Sequence, residues 1–344
     1  MRIALDATYS VGDCLTGVGV YSREILYGLA AAHPETQFLF CYRPHRFRHS
    51  FSEPLPKNAA RRPLLNWLPP RAELFHALNQ RVETRRSNIV STFHDVFVLT
   101  AAYSTPGFRA RFAAQARAAA ARSDLIIAVS NFTALQVEQL LGIERARLRV
   151  IHHGVRPPAA DPPPDSERED LILNVGAIQT RKNIARLVKA FERTAKNWRL
   201  VLAGSKGYGA DEILHGIEHS SRRGDIDVLG YISDAELKRL YLRARVFAFP
   251  SLDEGFGMPV LDALANGIPV LTSNRSALPE IAGDAAILVD PQSTDEIASA
   301  LGRLTDDSDL RDNLRMRGIK RAANFTWQDA IAKTWAVYRE LLGY

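Results

Sequence analysis

Cysteine is nearly missing from this chain: Cys14 and Cys41 are the only two in 344 residues. Their spacing matches no metal-binding pattern, so a disulfide-stapled scaffold and a cysteine-built metal site are both excluded. Also missing is any apolar run near the ~20 residues that a bilayer-spanning helix needs. The start, Met1 to Asp6, enters a strand-like pattern at once and lacks the layout of a signal peptide. Lysine is scarce in the first half, where 18 of 19 basic residues are arginine. These absences point to a reducing cytoplasm, with the inner face of the cytoplasmic membrane as the alternative location.

A hydrophobic content of 46% and a charged content of 24% are those of a soluble globular protein. The length is more than one core accommodates well and suits two domains. Charge is uneven: residues 1–155 carry a net +8 and the remainder a net −2. A basic first half suits an anionic partner or membrane surface, although arginine-rich composition alone also produces it. No nucleic-acid-binding motif accompanies the charge, so nucleic acid is not expected as a partner.

Short apolar runs alternate with helical patterns. In the first half the pattern predicts strands at Arg2–Ala7, Gln37–Tyr42, Leu74–Ala77, Asn88–Thr92, Leu125–Val129 and Arg149–Ile151, with helices at Gly19–Ala32, Arg109–Arg122 and Asn131–Leu141. A proline-rich break follows at Arg156–Asp165. The alternation then resumes, from a strand at Leu171–Val175 to a last helix at Trp327–Leu342. Such alternation predicts an α/β protein with parallel sheets covered on both faces. The domains expected are 1–155, a linker at 156–170, 171–326, and a terminal helix at 327–344. Ligands of open parallel sheets bind at the carboxyl ends of strands.

The most informative stretch runs from Phe249 to Val270: a strand, a turn holding Glu254, Gly255, Phe256 and Gly257, then a helix opening at Pro259 and carrying Asp262. Glycines let backbone amides approach a ligand, and a helix N-terminus favours a phosphate or a hydroxyl-rich anion. A second strand end, Asn174 to Asn183, holds Gly176 and then Arg181 and Lys182 at the start of a helix. Two cations there oppose the helix dipole, which argues for an anionic ligand. Gly204 ends a further strand within a glycine-rich loop, and Tyr231 and Ile232 end another.

This second-half pattern, with Gly267–Val270, Ser273–Glu280 and Gly283–Pro291 around it, resembles the signature of the family 4 retaining glycosyltransferases, which have the GT-B fold: two Rossmann-like domains facing across a cleft, with the last helix crossing back to the first. The resemblance covers nearly the whole chain. It implies a glycan or lipid-linked acceptor bound by the domain 1–155, a nucleotide-sugar donor bound by the domain 171–326, and no cofactor or metal. It implies that Glu254 binds donor-sugar hydroxyls and that amides of Gly255, Phe256 and Gly257 hold that sugar. Arg181 and Lys182 would bind the diphosphate and stabilise the leaving group, with Gly176, Gly204, Tyr231 and Ile232 around the nucleotide. The ribose-binding position, a Glu in the family, is Asp262 here, one methylene shorter. Thr16–Tyr21, with Gly17 and Gly19, resembles the family's first glycine loop, and His94 of Thr92–Val96 matches a histidine beside the donor sugar. Ser130 reads either as a pocket residue or as a helix cap. His152–Val155 departs from the family's Asn-Gly; adjacent side chains on a strand diverge, so no metal site is assigned.

Gly204 and its loop resemble those of mannosyltransferases, so the donor reading leans to GDP-mannose, in cell-surface polysaccharide or glycolipid assembly. The alternatives are a nucleotide-sugar epimerase on the same fold or a non-catalytic nucleotide-sugar-binding subunit. Arg43–Arg62 adds Arg43, Arg46, Arg48, Lys57, Arg61 and Arg62 against Glu53, with Phe47, Phe51, Leu55 and Trp67 interspersed or nearby. It resembles the family's variable acceptor-side region, and basic residues near anionic lipid contribute about 1 kcal/mol each. Contact with an anionic membrane is the expectation.

Overall fold

The computed structural model describes residues 1–12, 15–65, 68, 70–82, 88–158 and 161–344; Cys14 and Trp67 lie outside the described residues. The chain divides into two units, Met1–Gly154 with Phe325–Tyr344, and Val155–Asn324.

The first unit contains β1 (Arg2–Asp6), α1 (Gly17–Ala32), β2 (Gln37–Tyr42), α2 (Pro44–Phe47), β3 (Ala59–Pro63), β4 (Leu74–Ala77), β5 (Ile89–Phe93), α3 (Pro106–Arg122), β6 (Leu125–Ala128), α4 (Asn131–Leu141) and β7 (Leu148–Val150). Its sheet is ordered β3-β2-β1-β4-β5-β6-β7 with parallel pairings throughout. The strands β4, β5 and β6 are buried along their whole length, as expected where helices cover both faces. Phe93, Ile126 and Val137 pack there with Ala116, Ala119 and Ala120 of α3. Alanines on that face let the helix lie close to the sheet. Ser130 accepts a hydrogen bond from Thr133 N at 3.0 Å, so it is the cap of α4, and Gly142 ends that helix at φ 66°.

The second unit contains β8 (Glu169–Val175), α5 (Ile184–Phe191), β9 (Arg199–Ala203), α6 (Ala210–Glu218), β10 (Ile226–Gly230), α7 (Asp234–Arg243), β11 (Ala244–Phe249), α8 (Met258–Ala265), β12 (Val270–Ser273), α9 (Leu278–Ala282), β13 (Ala286–Val289), α10 (Thr294–Asp306) and α11 (Ser308–Ala322). Its parallel sheet is ordered β10-β9-β8-β11-β12-β13. Ile172, Leu200 and Val246 form its core with Leu187, Phe191 and Leu301. Each such side chain contributes about 1.5–3 kcal/mol on burial. Both sheets have a topological switch point, between β1 and β4 in one and between β8 and β11 in the other.

The last helix, α12 (Trp327–Leu342), belongs to the first unit. It packs on α1 so closely that a Cβ on Gly28 would fall 2.1 Å from Ile331 Cδ1. Tyr338 Oη lies 2.6 Å from His76 Nδ1, and Trp335 stacks on His33 with ring centroids 3.6 Å apart.

Two expectations change. The segment 156–170 is expected to be a spacer; its described residues belong to the second unit, and its last residues open β8. Arg311 forks onto Asp165 at 2.9 and 2.8 Å, and buried Arg168 donates to the carbonyls of Tyr241, Ala244 and Asn266 at 2.9, 2.7 and 2.6 Å. These arginines anchor a stretch judged by its prolines alone. The segment Arg43–Arg62 ends inside an edge strand, and some of its cations have structural work. Arg43 is buried and donates to Asp6 Oδ2 at 3.0 Å; Arg61 donates to Ser50 O at 2.9 Å and to Glu53 O and lies over the Phe51 ring.

Candidate active site

The switch point of the second sheet gathers the residues with the strongest chemistry. The chain leaves β8 at Val175 and turns at Gly176, and a single 3₁₀ turn sets Arg181 and Lys182 before α5. Asn183, left-handed at φ 60°, fastens that turn by donating to Pro250 O at 2.9 Å and Pro291 O at 2.6 Å. The chain leaves the neighbouring strand, β11, at Phe249 and forms the loop that holds Glu254. Leu252 N donates to Arg181 O at 2.8 Å, and Arg181 Nη1 donates to Asp253 O, so the two loops are tied together.

Glu254 is the meeting point. Lys182 Nζ donates to its Oε1 at 2.6 Å, Arg181 Nη1 lies 3.0 Å from Oε2, and Ser251 Oγ donates to Oε1 at 2.6 Å. Ser276 Oγ accepts from Glu254 N at 3.1 Å, and Ala277 N donates to Glu254 O at 3.2 Å. Burial by itself would raise the Glu254 pKa, but Arg181, Lys182 and the hydrogen bonds outweigh it and bring it down to about 2. Asp253 next to it, short of such bonds, is raised by burial to about 6, with Arg181 opposing and Glu254 adding to the rise. Lys182 Nζ also stands 4.5 Å from the centre of the Phe249 ring. A buried carboxylate with two cations and a hydroxyl donor is a preorganised polar site.

The glycines around it have steric reasons. A Cβ on Gly204, at the end of β9, would fall 2.0 Å from Gly176 O, so only glycine lets the ends of β8 and β9 approach this closely. Gly257 caps α8 at φ 106°, a region that L side chains rarely adopt. Gly255 and buried Phe256 precede it, so the loop delivers the amides of 255–257 to the helix start. Tyr231, about half exposed, and Ile232 follow β10. Asp262 lies on α8, half-buried; desolvation raises its pKa to about 7, with Arg156 opposing.

Arg181, Lys182 and Glu254 are thus brought together, with Gly176 and Gly204 behind them. Ser251, Asn183 and Ser276 complete the cluster and went unassigned from sequence. Only Asn183, an Asn before a helical pattern, carried a local signal.

In the first unit, His94 is buried beyond β5, and its Nε2 lies 3.0 Å from Leu78 O. Burial brings its pKa down to about 4 against that carbonyl's pull, so the ring is neutral at pH 7. Tyr21 of α1 meets it edge-on with centroids 4.8 Å apart, and His153 stacks on it at 5.5 Å. Residue 153 faces inward and His152 turns to Phe325, as divergent neighbours on an extended chain must. Gly17 and Gly19 open α1, where a Cβ on Gly19 would lie 2.8 Å from Tyr9 O.

Comparison with known proteins agrees with this architecture. Residues 16–157 match the model of Glycosyltransferase Family 4, and residues 158–321 match that of Glycosyl transferases group 1. The chain is 29% identical to the O-antigen chain mannosyltransferase B of Escherichia coli, over 97% of this chain and 99% of that one. Sucrose-phosphate synthase from Thermosynechococcus elongatus has the same fold, with a TM-score of 0.79 at 20% identity over 99% of both chains. Anabaena HepE in complex with UDP-glucose gives a TM-score of 0.76 at 15% identity over 100% of both. Two parallel sheets of this order, the cluster at the second switch point and the two matching models together show that the chain belongs to the GT-B glycosyltransferases with a family 4 first half and a group 1 second half.

Proposed function

We propose that the protein is a retaining mannosyltransferase that takes mannose from GDP-mannose and adds it to a glycan or lipid-linked acceptor during cell-surface polysaccharide assembly. It would act in the cytoplasm, at the inner face of an anionic membrane, without a metal. The pairing of Arg181 and Lys182 on Glu254 carries this reading, supported by the full-length similarity to an O-antigen mannosyltransferase.

In this reading Arg181 and Lys182 bind the donor diphosphate and neutralise the charge that grows on it as it leaves. Such preorganised stabilisation is worth several kcal/mol. Glu254 accepts hydrogen bonds from the sugar hydroxyls, and Asp262 takes the ribose hydroxyls. Gly176, Gly204, Tyr231, Ile232 and the amides of 255–257 surround the donor. For the first unit, the family pattern implies that Gly17 and Gly19 serve the phosphates and that His94, neutral at pH 7, serves the donor sugar. The acceptor hydroxyl attacks the anomeric carbon as the bond from that carbon to the phosphate oxygen breaks. The departing phosphate takes the hydroxyl proton on the same face, so configuration is retained and no protein nucleophile is needed.

A thermal-shift panel of GDP, UDP and dTDP, followed by nucleoside diphosphate release from the corresponding mannose and glucose donors, tests this. GDP should stabilise most, EDTA should leave turnover unchanged, and NMR of the product should show an α-linkage. Preference for UDP would remove the donor assignment, and a β-linked product would remove retention.

A further inference from the structure

Backbone strain singles out a residue next to Glu254 that the mechanism has not used. Among the described residues, Asn88, Asn183 and Ser276 are the non-glycines with positive φ. Asparagine enters that region readily, because its short side chain hydrogen-bonds locally. Serine has no such allowance, yet Ser276 sits at φ 57°. Conformations of this kind persist where the surrounding structure over-determines them, and they gather at functional sites.

Ser276 lies between β12 and α9, in a segment fastened along the loop that holds Glu254. Ser273 Oγ donates to Ser251 O. Ser276 Oγ accepts from Glu254 N at 3.1 Å, and Ala277 N donates to Glu254 O at 3.2 Å. Leu278 packs where a Cβ on Gly257 would come within 2.7 Å of its Cδ2. The Ser276 hydroxyl gives its proton to Arg275 O at 2.7 Å, which leaves its lone pairs for the Glu254 amide. The left-handed turn thus brings one hydroxyl and the next amide onto both main-chain polar groups of a single residue, Glu254. That residue is held twice. Lys182, Arg181 and Ser251 hold its carboxylate, and Ser276 and Ala277 hold its main chain. A diphosphate competes with the carboxylate for the two cations. The main-chain clamp is uncharged and takes no part in that competition.

We propose that Ser276 is a positioning residue for the donor sugar: its hydroxyl, held in a strained turn, fixes the Glu254 main chain so that the carboxylate keeps its place when the diphosphate draws Arg181 and Lys182 away. The inference deepens the donor-site reading and rests on it. Gly255, Phe256 and Gly257 follow Glu254 directly, so the placement of their amides depends on the same clamp. The nucleoside diphosphate alone makes no use of it, because it has no sugar for Glu254 to hold.

Three substitutions separate positioning from stability. Ser276→Gly loses the hydroxyl and relieves the strain, and Ser276→Ala loses the hydroxyl and keeps the strain. Ser276→Thr keeps the hydroxyl but adds a β-branch that the left-handed region disfavours. The glycine variant should therefore melt above the alanine variant, and the threonine variant below the wild type. Calorimetric titration of the intact proteins with GDP, GDP-mannose, UDP and UDP-glucose should give a different order. The nucleoside diphosphate should bind wild type and all three variants within about twofold. The matching nucleotide sugar should bind the glycine and alanine variants at least about fivefold more weakly than the wild type, and the threonine variant within about twofold of it. Nucleotide-sugar affinity that follows the melting temperatures would give Ser276 a structural role only and overturns the proposal. So does wild-type sugar affinity in the glycine and alanine variants, or an equal loss for the nucleoside diphosphate. A wild type that binds none of the four probes would refute the donor reading itself, and this inference with it.

Discussion

Glu254 and Asp262, eight residues apart, are driven to opposite ends of the carboxylate range by their surroundings: one falls to about 2, the other rises to about 7. The stability that depends on the ionised Glu254 is fully present above its ordinary value of 4.5 and is lost as pH falls toward about 2. Asp262 has the opposite sign. Its folded form prefers the proton, so the contribution is present below 3.8 and is lost as pH rises to about 7. Asp262→Asn should therefore raise the unfolding free energy from urea denaturation at about pH 8 by on the order of 1 kcal/mol, moving the midpoint up, and change little near pH 4. A midpoint shift of equal size at both values would contradict the assignment. Glu254→Gln frees Arg181 and Lys182 of their carboxylate partner. Nucleoside diphosphate, which has no sugar for Glu254 to hold, should bind several-fold tighter, while turnover falls by about 10²-fold or more. Weaker diphosphate binding together with full turnover would show that the carboxylate does not share these cations with the ligand.

At the scale of elements, the strand ends decide the site. Gly204→Ala puts a methyl group against Gly176 O and must move one loop. The expected loss is about 2–3 kcal/mol by urea denaturation, because the clash is with backbone and no rotamer relieves it. Most elements were legible from periodicity, and α4 and α12 coincide with the helices expected at Asn131–Leu141 and Trp327–Leu342. Strand β3 was not. Ala-Ala-Arg-Arg-Pro at residues 59–63 has no apolar alternation, because an edge strand needs only one paired side and its proline ends the pairing. Helix α9 is five residues long, too short to show a period. In the site, the motif around Glu254 and the cations after Gly176 were legible as separate chemistry. That Lys182 and Glu254, 72 positions apart, form a direct ion pair comes from sheet order, which places β8 beside β11. His153 gave no signal either, since its burial against Tyr21 and His94 depends on the fold alone.

The whole molecule is two parallel α/β sheets, each with one reversal of strand order and each with its polar groups gathered at that reversal. The chain completes the first unit only after finishing the second, with α12 supplying Tyr338 to the buried chain of His76, Thr92 and Tyr21. The central claim is that Arg181 and Lys182 at the second reversal receive the donor diphosphate. Calorimetry on the wild type, Arg181→Ala and Lys182→Ala, with the nucleoside diphosphate that stabilises most and with its nucleoside, tests it most directly. The account predicts that each substitution weakens diphosphate binding by more than about tenfold and leaves nucleoside binding unaltered. Diphosphate affinity equal in all three proteins would contradict it.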